Sequence, residues 1–235
     1  MNSIAHIAVA SLPGHRVWPQ ASPALNFTTR QSMDPRAKPG GDGTDDPAVI
    51  YGHLMRVAAG DPFDAHVFAC SLSLALVLDR EAPGRGLGLC AFSLRRLLDS
   101  HFPGSGIHAG SPLVDGKDAI EEADLRVLLL SGRAKGTVNE EWMAAIVARS
   151  CQRPNHLWQD LGLRHRGDLS QLLNKHFPGL TVQNVRDMKW KKFFYRQLCQ
   201  AENVPICKSP VCDSCADFAH CFGAEDADPL VRFGA

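Results

Sequence analysis

Apolar positions along this chain recur at helical rather than strand spacing. Val49 and Ile50 are followed by Leu54 and Val57, one face of a helix opening after Pro47. Asp61-Pro62 then places a capping carboxylate before a proline at the first helical position and predicts a helix through Leu78. That segment is apolar almost all round (Val67, Phe68, Leu72, Leu74, Leu76, Val77), the mark of a buried central helix. Further helices are predicted over Leu89–His101, Asp118–Leu130 and Asn139–Cys151. Asn139 reads as the N-cap of the last, with Glu140 and Glu141 placed favourably against the helix dipole. No stretch alternates with period 2, so the expected fold class is all-α.

The pattern contains a repeat. Leu94-Arg-Arg-Leu-Leu-Asp-Ser-His-Phe-Pro-Gly104 and Leu169-Ser-Gln-Leu-Leu-Asn-Lys-His-Phe-Pro-Gly179 share the form L-x-x-L-L-x-x-H-F-P-G. Leu-Gly-Leu precedes each, at 87–89 and 161–163, and a further apolar helix follows each, around 124–129 and 187–194. Two related helical halves are implied. Histidine in a last turn before Pro-Gly is a helix stop, because the cation suits the dipole and Pro-Gly cannot continue the helix. His101 and His176 therefore read as structural, the former lying in a half with no metal signal.

The second half departs from the first in two places. Arg153-Pro-Asn-His-Leu-Trp-Gln-Asp-Leu-Gly162 has no clear counterpart; Asn155 reads as an N-cap, and His156 and Trp158 stand out as candidate functional side chains. Asn184–Cys199 predicts one helix with Met188, Phe194 and Leu198 turned inward. It carries a basic stripe of Arg186, Lys189, Lys192 and Arg196, either a solvated face or a surface for an anionic ligand or acidic partner. The expected organisation is a leader over 1–46, a first half over 47–152, a second half with the basic helix over 153–206, a cysteine-rich loop over 207–223 and a tail over 224–235. The leader is rich in turn formers and charges and buries little apolar surface, so it is expected to be disordered or dispensable, with Met33 an alternative start.

Composition narrows the function classes. Of 235 residues 45% are hydrophobic, enough for a core, and the formal net charge of zero supplies no global field toward nucleic acid or anionic membrane. The apolar run around Leu74–Leu78 is far short of the roughly 20 residues of a membrane span. No signal-peptide pattern is read at the N-terminus, so a cytoplasmic location with reduced thiols is expected. Eight cysteines in that setting suggest metal or redox chemistry.

Four of them fall within fifteen residues: Cys207, Cys212, Cys215 and Cys221, spaced C-x4-C-x2-C-x5-C. Structural zinc sites with four cysteines usually split into two distant C-x2-C knuckles. Bunched ligands favour a cubane-type iron–sulfur cluster, which needs one thiolate per metal corner, with zinc as the alternative. Phe218 and Phe222 are placed to shield the site. Cys199 is a possible fifth thiolate, His220 reads as a surface residue, and Cys70, Cys90 and Cys151 read as small core residues.

The run from Arg153 to Leu163, the His176-Phe-Pro segment, Asp187–Cys199 and the cysteine spacing together resemble the NifQ family of nitrogen-fixation proteins, from about Pro47 to Gly223. The resemblance implies a non-enzymatic protein that carries a molybdenum–iron–sulfur cluster of one molybdenum, three irons and four sulfides. It further implies an iron–sulfur precursor, molybdate as metal source, and donation of molybdenum to the nitrogenase iron–molybdenum cofactor. The implied partners are the nitrogenase iron protein and the scaffold complex on which that cofactor matures, with neither nucleic acid nor membrane involved. The family's motif falls on Cys207, Cys212, Cys215 and Cys221; Cys199, His156, Lys189 and Lys192 are added as accessory candidates from the residues themselves, not from the resemblance. Two rivals stand beside it. A helix-hairpin-helix DNA-repair glycosylase has C-x6-C-x2-C-x5-C and a hairpin faintly like Phe102-Pro-Gly-Ser-Gly106, but the first gap here is four, no catalytic Asp or Lys sits in a matching context after the hairpin, and the chain has no net positive charge for phosphate neutralisation. A zinc-stapled interaction module is the other.

Overall fold

A computed structural model describes residues 46–110, 120–202, 212–216 and 218–232. The expected leader through residue 45, with Met33, lies outside them, as does Cys207. Eleven helices and no strand occur among the described residues. In chain order they are α1 (Pro47–Arg56), α2 (Pro62–Leu78), α3 (Pro83–Leu87), α4 (Ala91–His101), α5 (Ile120–Ser131), α6 (Val138–Cys151), α7 (Leu157–Asp160), α8 (Arg166–His176), α9 (Pro178–Thr181), α10 (Trp190–Ala201) and α11 (Phe218–Phe222). No helix is long and apolar enough to cross a membrane.

The ends of α2 and α6 show how local chemistry sets the boundaries. Asp61 caps α2, its carboxylate accepting from Phe63 and Asp64 N–H at 3.0 Å each. At α6 the expected cap, Asn139, is displaced by Thr137, because Thr137 and Glu140 close a capping box. The buried Glu140 carboxylate also accepts from Ala134, Lys135 and Thr137 N–H at 2.7–3.0 Å. Burial alone would raise its pKa, but these amides hold it below the usual carboxylate value. Asn139, in the first turn of the helix, is released for another task.

That task becomes visible once the two halves are laid over each other. Leu94 and Leu169, and His101 and His176, stand 75 positions apart, and the same register relates Ala59 to Ala134 and Asp64 to Asn139. The backbone obeys it. Ala59 N–H donates to His101 O at 2.9 Å and Ala134 N–H to His176 O at 3.0 Å. Phe102 and Phe177 end α4 and α8 at nearly the same angles, φ −137° and ψ 55° against φ −133° and ψ 49°. Both rings are buried, as are Leu94, Leu97 and Leu98 and their counterparts Leu169, Leu172 and Leu173. The Phe-Pro-Gly element is thus a duplicated helix stop rather than a nucleic-acid hairpin.

In this register α5 is the counterpart of α1 and α6 that of α2, so the second half begins at α5 rather than at the expected residue 153, and α10 lies beyond the repeat. α2 and α6 are buried on nearly every side. Only α2 was expected to be central. α6 escapes notice because Ala144, Ala145 and Ala148 carry little hydrophobicity, yet they let neighbours approach closely. One continuous apolar cluster runs through both halves, from Leu54 through Phe68 and Ile146 to Phe194, so the halves share a core. Each fully buried Leu or Phe in it contributes roughly 1.5–3 kcal/mol of hydrophobic stabilisation.

At the centre lies a polar chain. His101 Nε2 meets Asn139 Oδ1 at 3.2 Å, Asn139 Nδ2 donates to Asp64 Oδ2 at 3.0 Å, and Asp64 Oδ1 meets His176 Nε2 at 2.8 Å. Lys175 Nζ reaches both Asp64 and Asp61, at 2.8 and 2.5 Å. Burial pushes the Asp64 carboxyl up. Hydrogen bonds from His176, Lys175 and Asn139 outweigh it and hold that carboxyl well below the usual range. Both repeat histidines therefore do more than end helices: each is tied to the first turn of the opposite half's central helix.

Candidate metal centre

The cysteine tail rests on α10 and the loop before it. The predicted helix from Asn184 is not formed until Trp190, since the Asn184 side chain engages Met188 twice, accepting from its N–H and donating to its C=O at 2.9 Å each. Asp187 adopts φ +54°, a left-handed conformation that Asp tolerates better than most residues, and its carboxylate pairs with Arg166 at 2.7 Å. Arg186 and Lys189 consequently sit on a loop and at the N-cap rather than on one helical stripe. Trp190, Phe193 and Phe194 form the buried aromatic face that fixes α10 to the core, and Leu198 packs against its edge.

Three basic residues turn toward the tail. Cys212–Ser214 forms a 3-10 turn, with Cys215 N–H donating to Cys212 O at 3.0 Å and Phe218 N–H to Cys215 O at 3.1 Å. Arg186 is ion-paired to Asp213, inside the C-x2-C gap. Its guanidinium also lies 6.0 Å from the Phe218 ring and 5.3 Å from that of Phe222. Those two rings stack on each other at 4.7 Å. Lys189 N–H donates to Cys221 O at 2.8 Å, and its ammonium reaches Ala219 O at 3.4 Å. Arg196 Nη1 donates to the Cys212 sulfur at 3.5 Å. Lys192 is exposed.

Cys212, Cys215 and Cys221 are each half-buried, at a surface and within reach of solvent. Among the described residues, no three Cys, His, Asp or Glu side chains converge to hold a metal ion. The described cysteines thus share one docked stretch rather than a formed cage. Cys199 lies half-buried near the end of α10.

Beyond Cys221 the chain is tied down again. Glu225 pairs with His156 Nδ1 at 3.0 Å and with Arg166 Nε at 2.9 Å. Gln159 Nε2 donates to Asp228 O at 2.7 Å, and Val231 is fully buried. His156 occupies the N-cap of α7, the position expected for Asn155, and Asn155 donates instead to Asp160. His156 pairs with Glu225, in the strap that follows the tail, rather than with a cysteine. Lys191 is the other tie: its ammonium donates to Arg153 O, Asn155 O and Asp160 Oδ2 at 2.6–2.8 Å. The unmatched run from Arg153 is thereby pinned between α10 and the strap. Glu225 and Lys191 carry no sequence signal for these roles, because their partners lie more than thirty positions away.

The single cysteines separate by burial. Cys70 and Cys151 are core residues, as expected; burial raises both thiols, that of Cys151 to about 12. Cys90 departs from expectation: it is exposed at the N-cap of α4, where the Ser93 hydroxyl and neighbouring amides lower its pKa. His220 is exposed, as read from the sequence.

Comparison with known proteins supplies the relationship. The family model described as NifQ matches residues 67–223. The chain is 50% identical over 105 residues to "Protein NifQ" of Azotobacter vinelandii, covering 45% of this chain and 54% of that protein. It is 41% identical over 180 residues to "Protein NifQ homolog" of Sinorhizobium fredii, covering 73% and 78%. It is 49% identical over 81 residues to "Protein NifQ" of Klebsiella pneumoniae, covering 34% and 48%. The chain thus spans about half the length of the Azotobacter and Klebsiella proteins. No solved structure matches.

Proposed function

The chain belongs to the NifQ family, and from that premise we propose that it is a metal carrier for nitrogen fixation rather than an enzyme. Its cargo is a molybdenum–iron–sulfur cluster held by Cys207, Cys212, Cys215 and Cys221, built from an iron–sulfur precursor and molybdate. Its role is to donate molybdenum for the iron–molybdenum cofactor of nitrogenase. The partners in this reading are the nitrogenase iron protein and the cofactor-maturation scaffold, met in the cytoplasm.

The observation that carries the reading is the way the tail is held. Thiolates are the soft donors an iron–sulfur cargo needs. Three of the four are half-buried at a surface, on a short segment anchored by Arg186 and Lys189 on one side and by the Glu225 strap on the other. A permanent structural staple would gain from deep burial; a cargo that must leave needs an open side. A basic surrounding suits a thiolate-ligated cluster, which is negatively charged.

Metal and sulfide analysis of anaerobically isolated protein tests this directly. The expected result is a brown protein with iron, molybdenum and sulfide. Changing Cys207, Cys212, Cys215 or Cys221 singly to Ala should abolish or sharply reduce molybdenum. A colourless zinc protein, or metal retained in all four variants, would sink it.

A further inference from the structure

Of the basic residues around the cysteine tail, Arg186 spends its charge on Asp213, Lys189 places its ammonium on a backbone carbonyl, and Lys191 is neutralised by Asp160. Arg196 differs. Its guanidinium donates to the sulfur of Cys212 at 3.5 Å, and among the described residues it has no carboxylate partner. It projects from α10, whose aromatic face, including the fully buried Phe194, is locked into the core. A charged donor on a rigid element therefore addresses one sulfur of a motif that otherwise sits on a short segment.

We propose that Arg196 is a positioning residue for the cargo, holding the Cys212 sulfur by a charge-assisted hydrogen bond and compensating the negative charge of the cluster that sulfur ligates. The proposal rests on the reading that Cys212 is a cluster ligand. Two consequences follow from the physics. A hydrogen bond and a positive charge at a ligating sulfur favour the more reduced, more negative cluster and so raise its reduction potential. Fixing one ligand to a helix also slows opening of the site, so cargo leaves from the corners not held by Arg196. The planar guanidinium suits a fixed direction, whereas lysine supplies the charge without the fork.

The test compares the full-length protein with Arg196→Lys and Arg196→Gln, each loaded anaerobically with iron, sulfide and molybdate. Metal and sulfide content, reduction potential, electron paramagnetic resonance and release to a chelator are then read. Arg196→Gln should shift to lower potential with an altered resonance and lose metal several-fold faster. Arg196→Lys should recover part of both effects. A variant that fails to load only as Gln, with helicity unchanged, carries the same meaning. Potential, resonance and release rate unchanged in Arg196→Gln, or equal behaviour of the Lys and Gln variants, overturns the proposal, since a purely structural tether would not distinguish charge. A wild-type protein that takes up no cluster overturns the reading beneath the proposal, and the proposal with it.

Discussion

The two halves of the molecule share a backbone plan but diverge in charge. In the first, His101 is answered by a neutral amide, Asn139; in the second, His176 is answered by a carboxylate, Asp64, with Lys175 beside it. The same helix stops, leucine positions and loop hydrogen bonds recur 75 residues apart, so these belong to the scaffold. What the second half adds is the run from Arg153, α10 and the tail. Duplication separates the two kinds of residue: shared positions hold the fold, and unshared ones position the thiols.

The largest expected effect comes from the polar centre. Asp64→Ala removes the partner of a buried histidine and should cost toward the upper end of about 3–5 kcal/mol, read as a lowered urea midpoint. Asp64→Asn makes the two halves alike and sharpens the contrast through pH. A carboxyl held below its unfolded value stabilises the fold at neutral pH, and that contribution fades as pH falls below about 4. Wild type should therefore lose its advantage over Asp64→Asn across that acid range. Parallel stability curves for the two would break the assignment.

Next is the tie unique to the second half. Lys191→Met leaves the buried Asp160 carboxylate without its cation, although Asn155 still donates to it, so about 3 kcal/mol is expected. Amide exchange should rise in residues 153–160 before it rises in α2. Uniform loss of protection would instead mean that the run is an integral part of the core.

The smallest effect belongs to Lys192. It is exposed on α10, so Lys192→Glu should change stability by no more than about 0.5 kcal/mol. Its interest lies in function, because Lys189 is already engaged with the tail. If the basic stripe recruits molybdate or an acidic partner, Lys192→Glu should slow molybdenum loading or transfer while leaving cluster retention intact. Unchanged loading and transfer would confine the stripe to holding the tail.

Much of the scaffold could be read from local signals. Asp61-Pro62 marks the start of α2, and its apolar run ends where the helix does, at Leu78. The repeat pointed to structural histidines at 101 and 176, and both are buried. Local rules failed where a competing side chain intervened. Thr137 took the cap from Asn139 because Glu140 could complete a capping box, and Asn184 unwound the expected start of α10 by binding Met188. Cys90 was expected in the core and lies on the surface, since burial of a lone cysteine depends on which face its helix end presents.

By itself the sequence determined the helical class, the duplication, the spacing of Cys207, Cys212, Cys215 and Cys221, and the family they resemble. These rest on periodicity, capping and residue type, all properties of neighbours along the chain. Tertiary structure alone decided that Asn139 meets His101, that His156 and Arg166 grip Glu225, and that Arg196 faces Cys212. Those contacts join residues sixteen to sixty-nine positions apart. Whether such residues meet is set by how the helices pack, and the thiols acquire their electrostatic surroundings only once α10 is fixed against the core.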